Sequence, residues 1–385
     1  MITTTEALHH LIGFPTVSRD SNRQLIEWVA ALLRRHGVEP IIIENEDGTK
    51  ANLFASTGPE GVAGVMLSGH TDVVPVDGQD WTKPPFECTE EDGRLYGRGT
   101  ADMKGFIASS LSAFCHATTR SLATPLHLAF SFDEEIGCIG VRSLISMLGD
   151  APVRTAFCIV GEPTHMAVAT GHKGKTALKA TCIGSEAHSA LAPTAVNAVY
   201  LACDLIQEIR HIQEDLKLHG HRDDAYDIPY TTLHAGLINA GVALNIVPRH
   251  AEVAFEIRNL SSDSPDAILE RLQHAIAPII AVARKTAPAA DIQIRITNTY
   301  PGLETPLESE IVSFVTGLTG SNKTIKVAFG TEGGLFQRDL GIPTVVCGPG
   351  SMEQGHKPDE FVSRDQLDAC DDMLARLILR LEEGI

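Results

Sequence analysis

Three short apolar runs in the first half of the chain each stop at a charged residue. Val65–Ser68 runs into Gly69 and His70, Leu126–Phe132 into Asp133-Glu134-Glu135, and Phe157–Val160 into Gly161 and Glu162. Runs of this length and composition suit buried strands. Between and around them lie helical patterns. Gln24–His36 places Leu25, Val29 and Leu32–Leu33 on one face and meets Gly37, a residue suited to stop a helix. Met103–Ala117 is a helix of small residues that starts just after Asp102. Strands alternating with helices specify an α/β fold, a sheet flanked by helices. Ligands of such folds collect beyond the carboxyl ends of the strands. Four of the five residues His70, Asp102, Glu135, Glu162 and His356 fall just past such an end.

The pattern changes near residue 174. Lys175–Ile183 alternates apolar and polar residues, as a half-exposed strand does. A helix over Ala195–Arg210, strands at Thr231–Ile238 and Ala251–Ile257, and a helix over Ser264–Ala283 follow. This is a compact α+β unit, assigned to residues 174–287 and inserted in the chain. A strand at Ile292–Ile296, a helix around Glu308–Leu318, a strand at Pro343–Cys347 and a long helix over Arg364–Leu381 then return to the earlier style. They are expected to complete the first sheet, so residues 1–173 and 288–385 form one discontinuous domain. A chain of 385 residues is long enough for two cores.

Composition narrows the partners. A net charge of −18 argues against nucleic acid, which needs a basic surface. No apolar stretch is long enough to span a bilayer, and the N-terminus Met1-Ile2-Thr3-Thr4-Thr5-Glu6 is no secretory signal. Eight scattered cysteines form no Cys-x-x-Cys pair and read as reduced thiols in a cytoplasmic protein.

The charged residues carry a chemistry. Two imidazoles and three carboxylates make the nitrogen–oxygen ligand set of a two-metal hydrolytic site. His70 and Asp72 are two apart on an extended segment, so both side chains point one way, and the Asp72 carboxylate is expected to accept the imidazole hydrogen bond. Asp102 stands among Gly97, Gly99 and Gly105. It could bridge two metals, cap the following helix, or do both. Glu134 and Glu135 are read as strand residues facing opposite ways. One of them binds metal, and the other takes a proton from water and hands it to the leaving nitrogen.

The runs SGHTDVVP, GRGTADMKG, DEEIGCIG, GEPT and GPGSMEQGHKPDE resemble the signature blocks of the zinc aminoacylase and carboxypeptidase G family, in order and over almost the whole chain. The resemblance implies a zinc-peptidase-like catalytic domain with a mixed sheet, and an inserted ferredoxin-like domain serving as lid and homodimer contact. It implies two Zn2+ ions, for which Co2+ could substitute, bridged by Asp102. His70 and Glu162 would complete one position, Glu135 and His356 the other. Glu134 matches the general base and Asp72 the acid behind His70. His188, in Ser185-Glu186-Ala187-His188-Ser189, matches a residue that reaches a partner subunit's site to stabilise the oxyanion.

Asn245, Arg258, Glu332 and Gly330 are the expected substrate contacts. The Arg258 guanidinium suits a carboxylate, and Glu332 a cationic side chain. The block Gly171-His172-Lys173-Gly174-Lys175 and the ending His356-Lys357-Pro358-Asp359-Glu360 fit best the family's acetylornithine deacetylase branch, which belongs to arginine biosynthesis. The expected substrate is thus a small N-acyl amino acid. Succinyl-diaminopimelate desuccinylase, another N-acyl amino acid hydrolase or dipeptidase, and a non-catalytic binding protein on the same scaffold are the alternatives.

Overall fold

The structure, a computed structural model, describes residues 1–385. The chain divides into two compact units. The larger holds Met1–Gly171, Leu303–Val327 and Thr331–Ile385; the smaller holds His172–Gly302 and Ala328–Gly330.

The larger unit opens with helices α1 (Thr4–Ile12) and α2 (Arg23–Arg35). Thr3 and Glu6 form a capping box that satisfies the first free N–H groups of α1. Leu25, Ile26, Val29, Ala30, Leu32 and Leu33 bury one face of α2. Gly37 ends it at φ +79°, a conformation costly for any side chain. Strands β1 (Ile41–Glu44), β2 (Ala51–Thr57) and β3 (Gly64–His70) follow. Every residue of β3 is buried, as its unbroken apolar run requires. The short β4 (Thr89–Glu91) and β5 (Arg94–Tyr96) lead to α3 (Gly105–Ala117), β6 (Leu126–Ser131), α4 (Val141–Asp150), β7 (Thr155–Val160) and β8 (Val168–His172).

The smaller unit comprises β9 (Gly174–Ile183), α5 (Ala198–His219), β10 (Thr232–Ala240), β11 (His250–Asn259), α6 (Pro265–Thr286) and β12 (Asp291–Tyr300). The chain then returns through β13 (Leu303–Glu304), α7 (Glu310–Thr319), β14 (Thr324–Val327), α8 (Gly333–Leu340), β15 (Thr344–Val346), β16 (Phe361–Ser363) and α9 (Arg364–Glu383).

The large sheet runs β1-β2-β6-β3-β7-β15-β8-β13, with β14 beside β8. It is mixed: β6, β3, β7 and β15 are parallel to their neighbours in that row, and β1, β2 and β8 pair antiparallel. In the β3–β6 register His70 stands opposite Ser131, so the residues just beyond both strands emerge side by side. One core binds α1, α2, α3, α7 and α9 to this sheet through residues such as Leu8, Val29, Phe106, Leu111, Val315 and Leu374.

The smaller unit is a four-stranded antiparallel sheet in the order β10-β11-β9-β12, with α5 and α6 packed on its buried face. Its strand-helix-strand-strand-helix-strand order is that of a split βαβ unit. Here the structure corrects the expected boundary. The strand assigned to the large sheet from residue 288 onward is β12, and it pairs with β9 from Asp291↔Ile183 to Tyr300↔Lys175. Ile292, Ile294 and Ile296 alternate with polar residues, which suits a sheet with one wet face and not the doubly covered large sheet.

Candidate active site

Five side chains meet past the carboxyl ends of β3, β6 and β7. His70 is the last residue of β3, Glu162 lies two residues past β7, and Glu135 lies four past β6. Asp102 sits in the irregular turn that precedes α3, and His356 in the loop between β15 and β16. The turn carrying Asp102 begins at Gly99, at φ +90°. A Cβ on Gly99 would also lie 2.7 Å from Val73, so no larger residue fits. Asp102 makes no helix-capping hydrogen bond, which leaves its oxygens free for other partners.

Asp102 divides those oxygens between two groups. Oδ1 lies 3.0 Å from His70 Nε2, and Oδ2 lies 3.2 Å from His356 Nε2. Glu162 Oε1 is 3.6 Å from His70 Nε2, and Glu135 Oε2 is 3.1 Å from His356 Nε2. Each triad, His70–Asp102–Glu162 and Asp102–Glu135–His356, holds its ligand atoms within 4.8 Å of one another. The first triad is buried throughout; the second ends at the exposed His356.

This arrangement fits a pair of divalent cations. The donors are imidazole nitrogen and carboxylate oxygen, and one carboxylate is shared. Burial, together with the negative charge of Asp102, pushes Glu162 well above the usual carboxylate range. Glu135 is pushed up to about 7 for the same reasons, although His356 and His70 work against the rise. Glu135 Oε1 is buried with no hydrogen-bond partner. Such an orphaned acceptor in a crowd of carboxylates is costly unless positive charge meets it.

Asp72 holds the site from behind, but not as expected. The His70 Nδ1–H donates to the Asp72 backbone carbonyl at 2.9 Å, and the Asp72 carboxylate is 3.6 Å away. That carboxylate instead accepts the backbone N–H of Glu134 at 3.1 Å, the N–H of Glu135 at 3.3 Å and the hydroxyl of Ser18 at 2.7 Å. A carbonyl only accepts, so Nδ1 carries the proton and Nε2 faces Asp102 and Glu162. The opposed directions of Glu134 and Glu135 also have a different origin. Both lie in a turn after β6, with Asp133 at φ +57°, and not on the strand itself.

Glu134 stands free of both triads. Its one side-chain partner is Cys138, whose thiol donates to Oε1 at 3.2 Å. Burial, reinforced by Glu135, Glu332 and Asp72, pushes Glu134 up to about 8 against the pull of His70. A carboxylate of that basicity can exchange a proton near neutral pH.

Glu332 departs from its expected role as a substrate contact. It is 1% exposed, and both its oxygens are engaged, Oε1 by Ser131 and Oε2 by Ser68 at 3.2 Å. It ties β3 to β6 from a buried position, with a serine hydroxyl on each oxygen. In the smaller unit His188 is exposed and accepts the Ala190 N–H at 3.1 Å. It bridges to Ile246, and the neighbouring Ser189 N–H donates to the Asn245 carbonyl at 3.0 Å, so His188 and Asn245 share one rim. Arg258, on β11, donates to Glu256 at 3.0 Å and to the Tyr300 hydroxyl at 3.3 Å. Gly330 packs so closely on the Tyr300 ring that a Cβ there would lie 2.3 Å from it.

Sequence reasoning missed Ser18, Gln79, Arg98 and Glu360. The signal for the last two was a charged residue inside a Gly-rich run: Arg98 and Glu360 form an ion pair at 2.6 Å, each side chain 1% exposed.

Known proteins share both the sequence and the fold of this chain. The chain is 34% identical over 375 residues to the acetylornithine deacetylase of Pasteurella multocida (strain Pm70), covering 96% of this chain and 95% of the relative. It is 33% identical over 381 residues to that of Photorhabdus laumondii, covering 97% and 96%. An M20 family metallo-carboxypeptidase from Sulfolobus solfataricus has the same fold, with a TM-score of 0.79 at 19% identity over 99% of both chains. Residues 66–380 match the model of peptidase family M20/M25/M40. The chain belongs to that family and is a metal-dependent amide hydrolase.

Proposed function

We propose that this protein hydrolyses N2-acetyl-L-ornithine to L-ornithine and acetate. The observation that carries the chemistry is the shared Asp102: two ligand triads meet on one carboxylate, and Glu134 stands beside them uncommitted. The choice of acyl group and side chain is supported by the names of relatives that span nearly the whole chain.

In this reading His70, Asp102 and Glu162 would hold one zinc ion, and Asp102, Glu135 and His356 the other. Divalent cations held there would supply Lewis acidity, for a bound water and for the scissile carbonyl. Glu134 accepts the proton of the attacking water at Oε2, the oxygen that Cys138 leaves free. It then delivers that proton to the departing nitrogen. One water is consumed, the C–N bond breaks, and amine and acetate leave. Asp72 keeps Glu134 aimed through its backbone N–H. Arg258 is assigned the substrate carboxylate, and Asn245 a separate substrate contact beside His188. His188 serves the oxyanion of a partner subunit, with the inserted unit as the homodimer contact. The partners are this small substrate and a second copy of the chain. Eight free cysteines support a reducing, cytoplasmic setting.

The test is amine release from N2-acetylornithine, N-succinyl-diaminopimelate and a dipeptide by the zinc-loaded protein. The expected result is a kcat/KM for acetylornithine at least a hundred-fold above the others, an estimate at the upper end of discrimination by pocket contacts. A higher value for either rival would overturn the substrate, and no release from any, with two metals bound, would overturn the catalytic reading.

A further inference from the structure

The two triads are unequally supported by the fold. His70 ends a buried strand and Glu162 lies two residues past another, both buried, so the core places them. His356 sits on a loop at φ +63°, and its side chain is 46% exposed. Packing does not fix a half-exposed imidazole, and a ligand that must be ordered on binding weakens the metal it holds. Something else must hold that loop.

One polar chain does so. The Asp102 backbone N–H donates to Glu360 Oε1 at 3.1 Å, as do the N–H groups of Ala101 at 2.9 Å and Gly99 at 3.0 Å. Arg98 Nη1 donates to Glu360 Oε2 at 2.6 Å, and its Nη2 to Gln79 Oε1 at 2.6 Å. Gln79 Nε2 then donates to the His356 carbonyl at 2.8 Å. Trp81 fixes the Gln79 amide, donating from Nε1 to Oε1 at 3.0 Å, and lies under the Arg98 guanidinium. Farther along the same loop, the Thr82 hydroxyl and N–H bond the Asp359 carboxylate at 2.8 and 2.9 Å. Segment 79–83 thus clasps segment 356–359 at both ends. A continuous row of hydrogen bonds joins the Asp102 backbone to the His356 backbone, which are the shared ligand and the least supported one.

We propose that Gln79, through Arg98 and Glu360, is the positioning residue of the outer metal position. It sets the affinity of the Asp102–Glu135–His356 triad without touching the metal and leaves the His70–Asp102–Glu162 triad alone. This rests on the ligand assignment of the proposed function. Gln79 is the link that costs least to change: it is half-buried in a loop, and without it Arg98 keeps Glu360 and the Lys357 carbonyl at 3.3 Å, whereas removing Arg98 or Glu360 would strand a buried charge.

The experiment dialyses the full-length zinc-loaded protein, Gln79→Ala and Gln79→Glu against graded free Zn2+ and counts bound metal by mass spectrometry. Wild type is expected to show two bound ions. Both variants are expected to lose one of them at a free Zn2+ ten- to hundred-fold higher than wild type does, and to keep the other unchanged, the size found for partners that orient a metal ligand. Gln79→Glu still accepts from Arg98 but cannot donate to the His356 carbonyl, so its loss locates the effect in that bond. At saturating Zn2+ kcat should recover and KM stay level. Two ions retained at wild-type affinity in Gln79→Ala, or both lost together, would overturn the proposal, and so would wild-type retention in Gln79→Glu. A wild type that never binds two ions would instead overturn the ligand assignment.

Discussion

Asp72 bonds Glu134 through the backbone: its Oδ1 accepts the Glu134 N–H at 3.1 Å while its own carbonyl, 2.9 Å from His70 Nδ1, orients the imidazole. One residue therefore aims a metal ligand with its main chain and the turn bearing the proton-transfer acid with its side chain. The two tasks can be separated by mutation. In Asp72→Asn the carbonyl that fixes His70 is untouched, the amide oxygen can still accept from Glu134, and the amide N–H can donate to Ser18; only the weaker bond from the Glu135 N–H, 3.3 Å to Oδ2, loses its acceptor. Asp72→Ala removes every acceptor for two buried N–H groups. We expect Asn to stay within a few-fold of wild type in zinc affinity and Ala to lose about ten-fold or more. Equal losses measured by metal competition would show that the carboxylate itself is the imidazole's partner.

Glu134→Gln should separate chemistry from metal binding. Glu134 lies in neither triad, so both ions should remain, and KM should change little. The amide can neither take nor return a proton, and kcat should fall by about 10²–10⁴-fold. Metal content and steady-state kinetics on one preparation decide it. A variant that keeps most of its kcat would end the assignment of Glu134 as base.

The site was more legible than the scaffold that aims it. His70, Glu162 and the acids after β6 stand out only together, since each alone reads as an ordinary strand end or acidic turn and it is their joint pattern and family blocks that single them out. Which atoms of Asp72 meet which partners was not legible, since main chain and side chain compete for the same donors and only the turn at Asp133 decides between them. Glu332 misled for a related reason: sequence shows a charge near the site but not that two serines, 68 and 131, have already engaged it. The gain of β12 by the smaller sheet was readable from its period-two isoleucines. The row from Gln79 to Glu360 was not, because it joins residues about 260–280 apart in sequence, a spacing on which local pattern is silent.

That reassignment of Glu332 is itself testable. As a tie between β3 and β6 it should matter to stability and not to choice of substrate. Glu332→Ala leaves two buried hydroxyls without an acceptor and should cost about 1–3 kcal/mol in urea unfolding, and Glu332→Gln less. In Gln, the preference for a cationic over a neutral side chain, measured as a ratio of kcat/KM, should match wild type. A preference that collapses in Glu332→Gln with stability intact would return Glu332 to the substrate.

Acid should loosen the larger unit through His127. This residue of β6 is 2% exposed, donates or accepts at Ser56 Oγ (2.9 Å), and burial drops it to about 4 from an ordinary 6.5, against a small lift from the Arg154 carbonyl. The folded state refuses a proton that the unfolded chain takes between those two values. Stability from the neutral ring is thus whole above pH 6.5, drains as pH falls toward 4, and is gone below it. The difference corresponds to about 3 kcal/mol. Carboxylates also titrate in this window, so wild type alone would not isolate the effect. In His127→Gln they titrate as before and the imidazole does not. Urea unfolding at pH 7.5 and 4.5 should show wild type losing about 2–3 kcal/mol more than His127→Gln over that span. Parallel losses in the two proteins would mean that the buried ring is protonated as readily in the folded chain as in water.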